Sequence, residues 1–226
     1  MEEEIPGGEM NCGEALPRFP AGLCKIVFDE RGVPVPYELK SARFLAADVL
    51  RQVLSEGDTA IDATMGNGHD TETLCRLVGP SGLVYAFDLQ PQAVENTRAR
   101  LLAAGLADRA RLFCLGHEHL AEEVPRPVRA VMFNLGWLPG GDHRITTLLP
   151  TTLSAVEQAL SLLQPGGVLV LCAYPGHAEG AREKEALISF FSALPPQQFN
   201  VLRQVFLNAG PGAPECFVVQ KAGRAG

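Results

Sequence analysis

Short apolar runs alternate with amphipathic segments along most of the chain. The apolar runs have the length and continuity of strands buried on both faces, and they cover residues 59–64, 83–87, 110–115, 130–135 and 168–173. The segments between them carry apolar residues at helical spacing, and they cover residues 69–78, 91–104, 117–123, 151–163 and 179–193. This alternation predicts a parallel sheet whose strands are joined by right-handed helical crossovers.

The C-terminal part breaks the alternation. Residues 199–208 and 215–221 are both strand-like, and the Gly- and Pro-rich connection between them leaves no room for a helix. Five alternating strands with a closing hairpin are typical of a class I methyltransferase, whereas a dinucleotide dehydrogenase usually continues with parallel units. We therefore expect an α/β, Rossmann-like class I methyltransferase fold. It would have a seven-stranded, mainly parallel sheet, an antiparallel C-terminal hairpin and helices on both faces.

Residues 1–37 follow neither periodicity. They contain five prolines and five glycines, whereas helical spacing of apolar residues begins near Ser41. We expect a partly ordered N-terminal extension over residues 1–40 and a methyltransferase domain over residues 41–226. A chain of 226 residues with 46% hydrophobic content can bury the single core that this domain needs.

Charge and cysteine content narrow the class of protein. The formal net charge of −7 argues against a wholly basic surface, so an RNA partner must be met by a local patch of Arg and Lys. The six cysteines include no CxxC pair and are expected to be reduced. The sequence shows neither a signal peptide nor a run of about 18 apolar residues, so we expect a cytoplasmic protein without a membrane partner.

The first predicted strand runs into a loop that contains two glycines. Residues 60–71 read AIDATMGNGHDT; Gly66 and Gly68 have no Cβ to obstruct a ligand, and a helix that begins near His69 offers its positive end. Asp88 ends the second predicted strand 20 residues beyond Gly68, where a carboxylate can accept hydrogen bonds from both ribose hydroxyls. This pair favours a nucleotide site over the alternative, a glycine turn beside a surface aspartate.

The same loop favours S-adenosylmethionine over NAD as the cofactor. Thr71 replaces the third glycine of a pyrophosphate-binding loop, and the neighbouring Asp70 would repel a pyrophosphate but attract the α-ammonium group of S-adenosylmethionine. Asp62 can serve the same end of the cofactor, and His117 or Glu118 is expected beside the adenine. The predicted cofactor site comprises Asp62, Met65, Gly66, Asn67, Gly68, Asp70, Thr71, Asp88, Leu89, Gln90, His117, Glu118 and Asn134.

The fourth predicted strand ends at Asn134, and Trp137 follows it. An amine nucleophile needs an oxygen acceptor that turns its lone pair towards the methyl group, and an aromatic face can hold a planar base. We expect Asn134 to supply the acceptor and Trp137 the face; the alternatives are a turn cap and a core tryptophan. Asp142 and His143 complete the predicted catalytic set. The proton acceptor is left open among Asp142, His143 and His177.

The histidines do not predict a metal site. His117 and His119 are two residues apart, which favours no shared helical face, and the sequence offers no companion thiolate pair. We therefore expect a site without a metal ion.

Six stretches of the sequence resemble one known family. They read DATMGNGHDT, FDLQ, GHEH, MFNLGWLPGGDH, TTLSAVEQALSLLQPGG and YPGHAEG, and the likeness covers about residues 41–221. Together they resemble the MnmM-type family of class I tRNA wobble-uridine methyltransferases, long labelled rRNA methylases. The most specific stretch is NLGWLPGGDH, in which the family usually has Tyr in place of Trp137.

The resemblance implies a reaction and a partner. A methyl group would pass from S-adenosylmethionine to the 5-aminomethyl group of 2-thiouridine, at the wobble position in the anticodon stem-loop of tRNA, with no DNA partner. The alternatives are an rRNA methyltransferase, a small-molecule amine or catechol methyltransferase and a noncatalytic nucleotide-binding module; a homodimer is left open. A basic ring at the mouth of the site would favour RNA, and its candidates are Arg18, Lys25, Arg43, Arg144, Arg182 and Lys184.

Overall fold

The computed structural model describes residues 41–125, 127–141, 144–210 and 212–223. Within these residues the strands β1 to β7 span Thr59–Asp62, Leu83–Asp88, Ala110–Cys114, Val128–Asn134, Leu163–Ala173, Phe199–Gln204 and Glu215–Lys221. The helices α1 to α6 span Ala42–Val53, His69–Val78, Pro91–Ala103, Leu120–Glu123, Leu149–Leu162 and Ala178–Ser192. No helix in this part of the chain is long and apolar enough to cross a membrane. The predicted N-terminal extension, residues 1–40, lies outside the described residues.

The strands form one sheet in the order β3-β2-β1-β4-β5-β7-β6. β7 pairs antiparallel with both β5 and β6, whereas the other neighbouring strands are parallel. β7 therefore runs against the rest of the sheet. The predicted class I methyltransferase arrangement, a mainly parallel sheet with an antiparallel C-terminal hairpin, is confirmed.

β5 begins at Leu163, earlier than the predicted start at residue 168. Leu163 pairs with Val128 of β4, but the ladder resumes only at Val168, after a register shift. The residues between them include a proline, which has no N–H for a regular ladder, and Gly166, whose φ is 77°. Because of this irregularity, apolar periodicity does not reveal the first part of β5.

The sheet separates two apolar layers, because successive side chains of a strand point to opposite faces. Ile61 and Leu169 belong to a layer that they share with apolar side chains of α5 and α6. Their neighbours Ala60 and Val168 belong to the other layer, which includes apolar side chains of α1 and α2. Helices therefore cover both faces of the sheet, as predicted.

The centre of the sheet creates a crevice at its carboxyl edge. The chain proceeds from β1 outwards to β2 and β3 on one side, and from β4 to β5 on the other side. The loops that follow the neighbouring strands β1 and β4 therefore diverge, and doubly wound sheets bind their ligands at such a switch point. Asp62 ends β1 and Asn134 ends β4. The predicted cofactor loop after β1 and the predicted catalytic residues after β4 therefore meet at this edge.

The loop after β1 is packed against α3 through Gly68. This residue has a φ of 78°, and a Cβ built on it would lie 2.8 Å from Oγ1 and 2.9 Å from Cα of Thr97. The Thr97 hydroxyl also donates a hydrogen bond to the carbonyl oxygen of Gly66 at 3.0 Å. We expected the open side of Gly68 to admit a ligand; the structure uses it for close contact with α3 instead.

Gly68→Ala should destabilise the fold more than Gly105→Ala does. Both glycines have a positive φ, but a Cβ on Gly105, whose φ is 67°, would have nothing within 4 Å. The left-handed backbone should cost each variant about 1 kcal/mol, and the contact with Thr97 should cost Gly68→Ala about 1–3 kcal/mol more. Urea denaturation measures both losses. Equal losses would show that the loop and α3 can separate without cost.

Candidate active site

A cavity of about 720 Å³ lies at the carboxyl edge of the sheet, where the loops after β1 to β5 meet. Most of the predicted site residues line it, namely Met65, Gly66, Asn67, Asp70, Asp88, Leu89, Gln90, His117, Glu118, Asn134 and Trp137. Asp62, Gly68 and Thr71 do not. The predicted catalytic residues Asp142 and His143 lie outside the described residues.

Asp88, the last residue of β2, accepts hydrogen bonds from the backbone of two loops, the one after β1 and the one after β2. Its Oδ2 accepts a hydrogen bond from the Gly66 N–H at 3.0 Å, and its Oδ1 accepts one from the Gln90 N–H at 2.9 Å. Burial raises the pKa of the Asp88 carboxyl above its ordinary value, and the two hydrogen bonds act in the opposite direction. Each carboxylate oxygen keeps a further lone pair for a hydroxyl group in the cavity.

Asn67 connects the glycine loop to two other segments. Its side-chain Nδ2 donates to the carbonyl oxygen of Pro139 at 3.1 Å, and its Oδ1 accepts from Nδ2 of Asn96 at 2.8 Å. Nε of Arg100 donates to the backbone oxygen of Asn67 at 2.8 Å. These bonds fix the positions of the loop after β1, the loop after β4 and α3 relative to one another.

Asp62 lies behind the cavity wall and is 1% exposed. Its Oδ2 accepts a hydrogen bond from the Thr71 hydroxyl at 2.6 Å, and its Oδ1 accepts one from the Thr64 N–H at 3.2 Å. Burial, followed by the charge of Asp70, raises the pKa of Asp62 to about 7. Asp62 and Thr71 belong to the predicted cofactor site. The structure places both side chains beneath the loop, where they bind each other at the start of α2, so that neither lines the cavity.

Asn134 is held by side chains from two other segments. Its Nδ2 donates a hydrogen bond to Oδ2 of Asp70 at 2.6 Å, and the hydroxyl of Tyr174 donates to its Oδ1 at 3.2 Å. Nε of Arg43 lies 3.9 Å from Oδ1 of Asp70 and offsets part of the negative charge beside the amide. Tyr174 and Arg43 also line the cavity.

Trp137 lies in the cavity wall rather than in the core. It is 38% exposed, and its ring centroid is 4.6 Å from that of His177, with the two planes tilted by 46°. Trp137 forms an antiparallel bridge with Thr146, and the Thr147 N–H donates to the carbonyl oxygen of Gly136 at 3.1 Å. The loop after β4 is thereby closed at its base and presents Trp137 to the cavity.

Glu183 anchors the base of that loop and was missed by the sequence analysis. It is 1% exposed, and its two carboxylate oxygens accept hydrogen bonds from the hydroxyls of Thr147, at 2.9 Å, and Thr152, at 2.6 Å. Burial raises the pKa of Glu183 above its ordinary value, against the effect of these hydrogen bonds. Glu183 shares the buried face of α6 with Leu187 and Phe191. An acidic residue in an apolar helical stripe was the signal that could have revealed it.

His117 faces the cavity from the side of the third strand. It is 7% exposed and packs edge-to-face on Phe133, with ring centroids 5.9 Å apart. Burial lowers the pKa of His117 below its ordinary value, which favours the neutral imidazole. His119 does not line the cavity, and its Nδ1 lies 3.0 Å from Oε1 of Glu122. The described residues contain no group of three or more His, Cys, Asp or Glu side chains that could hold a metal ion.

The basic ring that would favour an RNA substrate does not form around the cavity within the described part of the chain. Arg43 lines the cavity, whereas Arg144, Arg182 and Lys184 do not. Arg182 pairs with a glutamate three residues away, and Lys184 pairs with the next residue in sequence. Each pair has one side chain that is 69% exposed, and such surface ion pairs contribute little to stability. The other two candidates, residues 18 and 25, lie outside the described residues.

Residues 84–220 match the family described as "Putative rRNA methylase". The chain belongs to the rRNA methylase family. The chloroplastic tRNA (mnm(5)s(2)U34)-methyltransferase of Arabidopsis thaliana, a curated relative, is 43% identical to this chain over 185 residues. That match covers 77% of this chain and 67% of the relative.

Solved structures of similar sequence share the fold of this rRNA methylase-family chain. A "putative rRNA-methylase" from Clostridium thermocellum is 38% identical, with a TM-score of 0.80 over 82% of this chain and 100% of that one. A "putative methyltransferase" from Streptococcus mutans, in complex with SAH, is 37% identical, with a TM-score of 0.74 over 81% of this chain and 99% of that one. Family and fold together identify the chain as a class I methyltransferase.

The buried Asp62 should make stability depend on pH. Its folded-state pKa of about 7 lies above the ordinary value of 3.8, so between these values the folded protein binds the proton more tightly than the unfolded chain. The free energy of unfolding should therefore fall as the pH rises through this window. The wild type should lose about 2 kcal/mol of unfolding free energy between roughly pH 5 and pH 8, and Asp62→Asn should abolish this loss. Urea denaturation at a series of pH values measures both.

Asp108→Asn is the matched control for that measurement. Asp108 is exposed on the short turn before β3, and its substitution should leave the pH dependence of the wild type in place. If wild type and Asp62→Asn gave parallel curves, Asp62 would be charged in the folded protein.

Proposed function

We propose that this enzyme transfers a methyl group from S-adenosylmethionine to the primary amine of 5-aminomethyl-2-thiouridine at the wobble position of tRNA, giving 5-methylaminomethyl-2-thiouridine. The observation that carries this proposal is the carboxamide of Asn134, which is held at the end of β4 in the cavity that Asp88 also lines. The 43% identity to a tRNA (mnm(5)s(2)U34)-methyltransferase supports tRNA as the substrate and the wobble position as the target.

The cavity fits S-adenosylmethionine. Its volume of about 720 Å³ lies in the range of small-molecule sites. Asp88 keeps an acceptor position on each oxygen for a ribose hydroxyl, Leu89 and the neutral His117 offer surface to the adenine, and Asp70 offers negative charge to the α-ammonium group. When bound, S-adenosylmethionine supplies an electrophilic methyl group on a sulfonium centre.

The residues on the substrate side suit an amine. An alkyl amine is mostly protonated at neutral pH and must lose a proton before its lone pair can attack. Oδ1 of Asn134 can orient the neutral amine without the full negative charge that would stabilise the ammonium form. Trp137 offers its exposed face to the base, and the tilted ring of His177 packs against it. His177 is one of the three predicted proton acceptors; the other two lie outside the described residues.

Membership of the rRNA methylase family and similarity to a tRNA methyltransferase favour RNA over a small-molecule amine as the substrate. Surface charge does not add to this preference. Arg43 is the cationic side chain that lines the cavity among the described residues. Binding of the anticodon stem-loop follows from the proposed target, since that stem-loop carries the wobble position. A cytoplasmic location stays a prediction from the sequence, and a homodimer stays an open alternative.

Asp88→Ala should weaken the binding of S-adenosylhomocysteine by well over tenfold. The variant loses the acceptor for both ribose hydroxyls, which corresponds to about 2 kcal/mol for charge-assisted hydrogen bonds. Isothermal titration calorimetry measures the affinity. Glu95→Ala removes one negative charge from the exposed surface of α3 and is the matched control. Unchanged affinity in a folded Asp88→Ala protein, or saturable binding of NADH by the wild type, would contradict the cofactor assignment.

Asn134→Ala should lower the single-turnover rate of methylation by roughly 10²-fold or more, because a misplaced nucleophile loses much of its positional advantage. The affinity for S-adenosylhomocysteine should stay within a few-fold of the wild type. The substrate is tRNA that carries 5-aminomethyl-2-thiouridine, and the product is measured by nucleoside mass spectrometry. Asn200→Ala, on the exposed edge of β6, is the matched control.

The same assay tests the substrate. An unmodified tRNA transcript should be inert, because it offers no aliphatic amine. Methylation of that transcript, or full turnover by Asn134→Ala, would place the acceptor elsewhere and overturn the proposed function.

A further inference from the structure

Tyr174 directly follows β5 and lines the cavity beside Asn134. Its hydroxyl donates a hydrogen bond to Oδ1 of Asn134 at 3.2 Å. At the other end of the same carboxamide, Nδ2 donates to Oδ2 of Asp70 at 2.6 Å. The amide is therefore held by a donor at its oxygen and by an acceptor at its nitrogen.

These two partners favour one orientation of the carboxamide. A half-turn about the Cβ–Cγ bond would place Oδ1 against the Asp70 carboxylate, two acceptors without a proton between them. The backbone beneath the side chain is also fixed, since the Asn134 N–H donates to Oγ1 of Thr64 at 2.7 Å. In the observed orientation Oδ1 keeps one lone pair beyond the bond from Tyr174.

The contact with Asp70 also explains why an amide occupies position 134. An aspartate there would place two carboxylates in hydrogen-bond contact, and such a pair raises the pKa of one partner. The site would then hold either two repelling charges or a proton that the amine reaction must remove. Asparagine supplies the oxygen acceptor and satisfies Asp70 at the same time.

Tyr174 can act on Asn134 only as a donor. Burial raises the pKa of Tyr174 to about 12; the charge of Asp70 acts in the same direction, and Arg43 acts against it. The hydroxyl therefore keeps its proton over the pH range in which an amine can be methylated. A tyrosine in this state is not a general base for the amine.

We propose that Tyr174 is a positioning residue for methyl transfer: its hydroxyl, together with Asp70 at the amide nitrogen, directs Oδ1 of Asn134 towards the acceptor amine. The inference rests on the proposed function and adds a residue outside the predicted site. Tyr174 acts through Asn134 and makes no bond to the reacting nitrogen.

Tyr174→Phe tests this role because it removes the hydroxyl and keeps the ring. The single-turnover rate on tRNA should fall about tenfold, while the KM for tRNA and the affinity for S-adenosylhomocysteine change less than about twofold. Tyr85→Phe is the matched control, since Tyr85 is a buried tyrosine of β2 that does not line the cavity. An unchanged rate for Tyr174→Phe, or an equal loss for Tyr85→Phe, would overturn the proposal.

A double-mutant cycle separates action through Asn134 from independent catalysis. If Tyr174 works only by orienting the amide, adding Tyr174→Phe to Asn134→Ala should change the rate by less than about twofold. A further tenfold loss in the double variant would show that Tyr174 contacts the substrate itself, which overturns its role as a positioning residue.

A readout without tRNA distinguishes failure of this inference from failure of the proposed function. The side-chain amide signal of Asn134, assigned by its loss in Asn134→Ala, should shift in the ¹⁵N NMR spectrum of Tyr174→Phe but not in that of Tyr85→Phe. An unchanged Asn134 signal would overturn the contact. A shifted signal in an enzyme whose wild type does not methylate tRNA would support the contact and reject the proposed substrate.

Discussion

The hydrogen bond of 2.6 Å between Nδ2 of Asn134 and Oδ2 of Asp70 joins the two halves of the site. Asn134 ends β4, and Asp70 lies in the first turn of α2, which follows β1. Parallel neighbours bring both loops to the same edge of the sheet, but the chain then diverges on either side. This contact across the divergence makes the position of the Asn134 carboxamide, the proposed acceptor, depend on that of the loop after β1.

Three carboxylates lie near one another around the loop after β1, and each has separate hydrogen-bond partners. Asp62 accepts from a threonine hydroxyl and a backbone N–H, Asp70 from the amide of Asn134, and Asp88 from two backbone N–H groups. Burial still raises the pKa of Asp62 and of Asp88, so the arrangement reduces stability where these groups are charged. The resulting negative potential suits a cationic ligand such as a sulfonium compound with an α-ammonium group.

Two helices hold the two sides of the cavity. α3 contacts the glycine loop through Thr97, through Arg100 and through the side-chain bond of Asn96 to Asn67. α6 contacts the loop after β4 through Glu183, and His177 at its N-terminus packs on the Trp137 ring. The positions of the loops after β1 and β4 therefore depend on contacts with these two helices.

The sequence by itself determined the fold and the edge of the sheet at which the site lies. Apolar periodicity marks where strands end, and Asp88 and Asn134 are the last residues of their strands, so their presence in one cavity was predictable. Only the tertiary structure decided which side chains face that cavity. Gly68 packs on α3, Tyr174 lines the cavity, and Glu183 supports the loop after β4 from behind, because these roles depend on contacts between segments far apart in the chain. Periodicity assigns a residue to a face of a strand or helix, but it does not specify the partner from another segment that meets it there.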